Sequence, residues 1–125
     1  MEKRIVDTAN APSAVGTYSQ GVVHNGVYYF SGQIGLDPKS MELKKTFSEQ
    51  LIQILKNIDA LCESCKITKN NIIKTTIFMT DLSQFPEVNK EYEKYFKAPY
   101  PARSTVQVAA LPKGAAIEIE AIAAI

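Results

Sequence analysis

Two short stretches near the C-terminus constrain the fold most. Pro101-Ala102-Arg103-Ser104-Thr105-Val106-Gln107-Val108 and Ile117-Glu118-Ile119-Glu120-Ala121-Ile122 alternate apolar and polar side chains. That two-residue period belongs to half-buried strands, with one face dry and the other wet. Leu111-Pro112-Lys113-Gly114 between them reads as a turn. Val106 and Val108 fall on one face of the first strand, and Arg103, Thr105 and Gln107 on the other. Ile117 and Ile119 take one face of the second, with Glu118 and Glu120 opposite. If a hairpin closes near Ala109 and Gly114, its antiparallel register puts Arg103 on the same sheet face as both glutamates. Such a patch can hold a substrate carboxylate and position a water. On pattern alone, it can equally be a cross-strand ion pair on a wet sheet face.

The rest of the chain supplies matching elements. Lys3 to Asp7 is a short strand candidate, and Ala9 to Tyr18, with Pro12 and Gly16, reads as an irregular loop. Val22-Val23-His24 and Val27-Tyr28-Tyr29-Phe30 flank Asn25-Gly26, a strong hairpin signal. Ser31-Gly32-Gln33-Ile34-Gly35 brings two glycines, so the backbone there can lie close to a neighbour. Thr46-Phe47-Ser48-Glu49 is a capping box opening a helix. Phe47, Leu51, Ile54, Leu55, Ile58, Leu61 and Cys65 mark its apolar face. Ile72 to Met79 is rich in β-branched residues and predicts a central strand. Ser83 can cap a second helix with Pro86 in its first turn, and Ala98-Pro99-Tyr100-Pro101 stops it.

This order of strand, hairpin, helix, strand, helix and hairpin predicts an α+β domain over residues 1–125. About six strands form a mostly antiparallel sheet, with both helices on one face. The other face carries Arg103, Glu118, Glu120 and Ile122 with no helix of its own, which predicts a further subunit against it.

Composition narrows the function classes. With 14 Lys and Arg against 13 Asp and Glu the net charge is +1, and no basic stripe marks a nucleic-acid binder. No apolar run is long enough to span a membrane, and Met1-Glu2-Lys3-Arg4 leads into no signal-peptide core, so a cytoplasmic protein is expected. Cys62-Glu63-Ser64-Cys65 has the spacing of a redox pair or half a zinc site. It lies at a helix end rather than at a helix start after a strand, and His24 is the only histidine. Two reduced helix cysteines, at least one in the core, are therefore expected, and no metal site.

The chain resembles the RidA (YjgF) family of reactive-intermediate deaminases. The resemblance runs through Asn10-Ala11-Pro12, Gly16-Thr17-Tyr18-Ser19-Gln20, Ser31-Gly32-Gln33-Ile34, Ile73-Lys74-Thr75-Thr76-Ile77-Phe78, Val88-Asn89, Pro101-Ala102-Arg103-Ser104 and Ile117-Glu118-Ile119-Glu120-Ala121-Ile122-Ala123. It implies a chorismate-mutase-like fold assembled as a homotrimer, with clefts between subunits. It also implies hydrolysis of enamines and imines such as 2-aminoacrylate to a keto acid and ammonia, without metal or cofactor. Arg103 then grips the substrate carboxylate through paired, charge-assisted hydrogen bonds, and Glu118 holds the attacking water. The resemblance adds the Thr105 backbone carbonyl as a second water acceptor, Tyr18 as an aromatic wall, Gly32 as a backbone donor and Asn89 as a polar contact. By residue type alone, Tyr18 is loop packing and Asn89 a solvated helix residue.

Three positions depart from the family pattern. Thr17 stands where proline is common, which leaves the Tyr18 loop less rigid. Thr105 replaces a frequent cysteine, and Lys66 replaces a helix-ending glycine. Two other function classes fit the same residues. One is a non-enzymatic binder of small keto acids, or a chaperone. The other is an endoribonuclease or translation inhibitor, against which the near-neutral charge and the single turn-side histidine both count.

Overall fold

Asn25 and Gly26 both adopt positive φ, 52° and 76°, the backbone that a two-residue hairpin turn requires. They join β2 (Gly21–His24) to β3 (Val27–Gln33), pairing His24 with Val27. The short β1 (Arg4–Val6) adds antiparallel to β2. The computed structural model describes residues 2–125.

The capping box closes as expected. Thr46 Oγ1 accepts from the Glu49 N–H at 3.1 Å, and the Glu49 carboxylate accepts from the Thr46 N–H at 3.1 Å. Helix α1 (Phe47–Ser64) follows and turns Leu51, Ile54, Leu55, Ile58, Leu61 and Cys62 into the core. Each large aliphatic side chain buried there stabilises the fold by about 1.5–3 kcal/mol. Just past the helix end and its Cys65 cap, Lys66 takes a left-handed φ of 59° where glycine is the usual terminator.

The second helix starts differently from the Ser83 cap that the sequence suggested. Asp81 caps a single 3-10 turn, Leu82–Gln84, by accepting from the Ser83 N–H at 2.9 Å. Helix α2 (Phe85–Tyr95) continues from that turn with Pro86 near its start. A carboxylate outcompetes the hydroxyl because it also complements the positive end of the turn.

The larger correction concerns the C-terminal strands, which form no hairpin. The sheet order is β1-β2-β3-β6-β4-β5, where β4 is Ile72–Met79, β5 is Ala102–Gln107 and β6 is Ile117–Ala124. β6 lies between β3 and β4, antiparallel to both, and β5 runs parallel to β4 at the edge. Burial explains the exchange. Ile117, Ile119, Ala121 and Ala123 are all buried in β6, so this strand gains most from a central place. Polar β5, with no fully buried residue, takes the edge.

The insertion of β4 also moves Arg103 to the opposite face. Arg103, Thr105 and Gln107 lie in register with Thr75, Ile77 and Met79, which are buried beneath the helices. Glu118 and Glu120 lie in register with Phe78 and Thr76, on the open face. Arg103 is thus on the helix side and the glutamates are on the other. Both helices do cover a single face, as expected. The open face carries the exposed Ile5, Tyr29 and Val106.

Candidate functional site

The residues singled out in the sequence fall into two groups on opposite sides of the sheet. The first lies on the open face, where residues 12–20 meet the end of β3 and the start of β6. A cavity of about 640 Å³ there is lined by Tyr18, Ser31, Gly32, Glu118 and Glu120 among others. β3 and β6 lose register between Phe30 and Gln33, an irregularity that re-aims side chains locally. It sets Gly32 directly against Glu118, so that a Cβ on Gly32 would collide with the Glu118 carboxylate. The missing side chain is the space in which that carboxylate sits. Burial first, and then the negative charge of Glu120, push the Glu118 carboxyl above its ordinary value.

Tyr18 is carried to this cavity by a loop with little regular structure, and Gln20 holds that loop. Gln20 is 2% exposed. Its amide oxygen accepts from the Thr8 N–H at 2.7 Å, while its Nε2 donates to the carbonyls of Thr8 at 2.9 Å, Ala11 at 3.3 Å and Pro12 at 2.9 Å. Ser31 adds a tie from β3, its Oγ donating to the Ser19 carbonyl at 2.6 Å. The Tyr18 ring itself is 54% exposed. A loop fixed by buried hydrogen bonds therefore presents an open aromatic face.

The second group lies across the sheet, between α2 and the edge strand β5. Arg103 donates from Nη1 to the Asn89 Oδ1 at 3.0 Å. Its guanidinium stacks over the rings of Phe85 and Tyr92, at 5.2 Å and 4.9 Å to their centroids. Tyr92 is anchored by a 2.9 Å hydrogen bond between its hydroxyl and that of Thr75, both buried. Neither ion pair among the described residues involves Arg103. A guanidinium held by aromatic faces and one neutral amide keeps donors free for an anion. It opens on a cavity of about 760 Å³ that Asn89, Tyr100 and Pro101 also line. Thr105 shares this face but lines neither cavity, and its Oγ1 is buried without a hydrogen-bond partner among the described residues.

The structure thus brings Tyr18, Gly32 and Glu118 together, and separately Asn89 and Arg103. It does not join the two groups within one chain, because β4 separates their strands by about 10 Å and the sheet itself lies between the side chains. Phe85 and Tyr92 belong to the apolar stripe of α2. Their spacing with Asn89 along α2 puts all three on one helix face, but no local signal shows which strand that face meets.

Other candidates lie elsewhere. Cys62 is buried, and desolvation followed by the Asp59 charge pushes its thiol up to about 12. Burial also raises the Cys65 thiol, so neither is an activated nucleophile. His24 lines neither cavity. Among the described residues no three His, Cys, Asp or Glu side chains converge as metal ligands would, and no helix is long and apolar enough to cross a membrane.

Known proteins resemble this chain in both sequence and fold. A family profile described as Endoribonuclease L-PSP matches residues 8–125. A RutC family protein of Aquifex aeolicus is 48% identical over 122 residues, covering 96% of this chain and 98% of that protein. The 2-iminobutanoate/2-iminopropanoate deaminase of Homo sapiens is 45% identical over 122 residues, covering 97% and 89%. The crystal structure of RidA from an Antarctic Psychrobacter superposes with a TM-score of 0.95 at 46% identity, covering 98% of this chain and 99% of that one. Similarity of this extent, across sequence and fold together, shows that the chain belongs to the RidA (YjgF) family, whose profile carries the description endoribonuclease L-PSP.

Proposed function

We propose that this protein hydrolyses small 2-imino and 2-enamino acids of the 2-aminoacrylate type to 2-keto acids and ammonia. It acts in the cytoplasm as a homotrimer, and each site joins the Arg103 half of one subunit to the Glu118 half of the next. The observation that carries this reading is the Arg103 guanidinium, stacked on Phe85 and Tyr92 and without a carboxylate partner among the described residues. The substrate carboxylate supplies that missing anion. The separation of the two halves by the sheet supports a site shared between subunits, since one chain alone cannot bring them together.

In this scheme the carboxylate sits on Arg103, with Asn89 fixing the guanidinium and the Gly32 N–H donating to the substrate. The enamine enters as its imine tautomer, protonated on nitrogen, and Glu118 takes a proton from a water whose oxygen attacks the C=N carbon. The Thr105 backbone carbonyl accepts a hydrogen bond from the water's other O–H. The resulting neutral carbinolamine takes the proton from Glu118 on its nitrogen, and the C–N bond breaks with ammonia leaving as the hydroxyl becomes C=O and gives its proton to the Glu118 carboxylate. A carboxyl with a raised pKa is a better base for the first step and a ready acid for the second. Free imines already hydrolyse in water, so orientation and one proton relay suffice. Tyr18 walls the substrate from solvent.

The test is release of ammonia and pyruvate from freshly generated 2-aminoacrylate, combined with complementation. Arg103→Ala and Glu118→Gln proteins are each expected to be inactive. Co-assembled in equal amounts, they should regain about a quarter of the parent sites. A parent protein that binds pyruvate without turning over the enamine would make it a binder. Metal-free RNA cleavage that persists in Arg103→Ala would indicate a contaminating nuclease.

A further inference from the structure

Within one chain, before a neighbouring subunit adds its Arg103 half, the cavity that holds Glu118 is larger than the smallest imino acids need. Its volume of about 640 Å³ falls within the range of roughly 300–1,000 Å³ typical of pockets for drug-sized ligands. Beyond Gly32 and Glu118 the wall carries the apolar Pro12, Val15, Ile34, Leu36, Met41 and Pro112, interrupted by the neutral polar Ser13, Gln20, Ser31 and Gln33. Its charged groups are Glu118, Glu120 and Lys113.

Met41 stands out in that wall. It adopts a left-handed φ of 60°, uncommon for a residue other than glycine, asparagine or aspartate. Such a conformation persists only where the surroundings over-determine it. Here they do. The Met41 N–H donates to the Asp37 carbonyl at 2.8 Å, and the Asp37 N–H donates to the Glu42 carbonyl at 3.0 Å. The Asp37 carboxylate accepts from the Lys39 and Ser40 N–H groups at 2.8 and 3.1 Å. Leu36 bridges Leu43, and the Lys44 N–H closes the loop onto the Gly35 carbonyl at 2.9 Å. Gly35 in turn lies against the Gln50 backbone of α1, where a Cβ would clash. Met41 is therefore a fixed part of the cavity, with a side chain that adapts to irregular apolar shapes.

Resting on the deaminase reading above, we propose that this chamber is the side-chain pocket of the site, with Met41 as its specificity-determining residue. It selects 2-imino acids whose side chain is apolar and three or four carbons long. These are preferred over 2-iminopropanoate, and over imines with a second carboxylate. Each additional methylene buried against the wall favours the longer substrate by about fourfold. A second carboxylate would instead face Glu118 and Glu120 with only Lys113 to offset them.

The experiment generates imines in situ from leucine, alanine and glutamate with an amino-acid oxidase and follows keto-acid release above the spontaneous rate. The kcat/KM for the leucine-derived imine is expected to exceed that for the alanine-derived one by about tenfold or more. Met41→Asn, which tolerates the left-handed backbone but replaces the thioether with an amide, should lower that ratio by about tenfold. Met41→Leu, which keeps an apolar side chain, should hold it to within about threefold. A ratio unchanged in folded Met41→Asn overturns the assignment, as does a glutamate-derived imine that reacts fastest. A parent protein that hydrolyses the alanine- and leucine-derived imines equally well overturns this assignment alone. If it hydrolyses none of the three, the deaminase reading falls as well.

Discussion

The space beside Gly32 is filled by the carboxylate of Glu118, from the neighbouring strand β6. The colliding atoms belong to the end of a flexible side chain, so a methyl group on Gly32 can be accommodated by swinging the carboxylate away. Gly32→Ala should therefore change stability by less than about 1 kcal/mol. It should nevertheless lower kcat by about 100-fold, since a displacement of about 1 Å at a reacting group has that effect. Thermal unfolding and steady-state rates on one preparation check both halves. A well-folded Gly32→Ala enzyme with parental kcat would show that the position of Glu118 is unimportant.

Arg103 is held by two aromatic faces and the Asn89 amide. Lysine keeps the charge but cannot stack as a plane or donate two parallel hydrogen bonds. Arg103→Lys should thus lose nearly as much kcat/KM as Arg103→Ala, about 100-fold or more. Tyr92→Leu should raise KM more than it lowers kcat, because it loosens the guanidinium without touching the proton relay. Substrate-saturation curves for the three variants provide the comparison.

Glu118 should set the acidic limb of the rate profile. Its carboxyl is raised by burial and by Glu120, so the limb should lie above the ordinary carboxyl value of 4.5 and move down in Glu120→Gln. Stability follows the same proton. The folded protein holds it more tightly than the unfolded chain, so this group's contribution declines as pH rises from 4.5 toward the raised folded value. Glu118→Gln should remove both the limb and that decline, and leave the protein slightly more stable at neutral pH. Rate measurements and thermal unfolding from pH 4 to 8 give both curves; the range is chosen at roughly the carboxylate and histidine region.

The cysteines should be silent in catalysis. Cys62→Ala and Cys65→Ala together should keep full turnover, at a stability loss of about 1 kcal/mol from the Cys62 site. With its thiol pushed up to about 12, Cys62 should resist alkylation at pH 8 (roughly the ordinary thiol region) until the protein is unfolded. Mass spectrometry after iodoacetamide treatment separates native protection from unfolded labelling.

The features that sequence could determine are those set by neighbours in the chain. The Thr46–Glu49 capping box, the apolar face of α1 and the Asn25-Gly26 turn depend on contacts a few residues apart; the box and the turn formed as their spacing implied, and so did the face from Leu51 to Leu61, whereas Cys62 is buried in place of Cys65, which lies past the helix end. Even the alternation in 101–108 and 117–122 was sound as strand pattern. What it could not contain was the identity of the neighbouring strand. A two-residue period assigns side chains to two faces, but which face meets the helices depends on pairing across distant segments. Here the apolar residues of β6 drew it between β3 and β4, β5 was left parallel at the edge, and Arg103 came to rest beneath α2. Arg103 and Glu118 were therefore legible as chemistry, whereas their division between two faces was decided by the burial of β6.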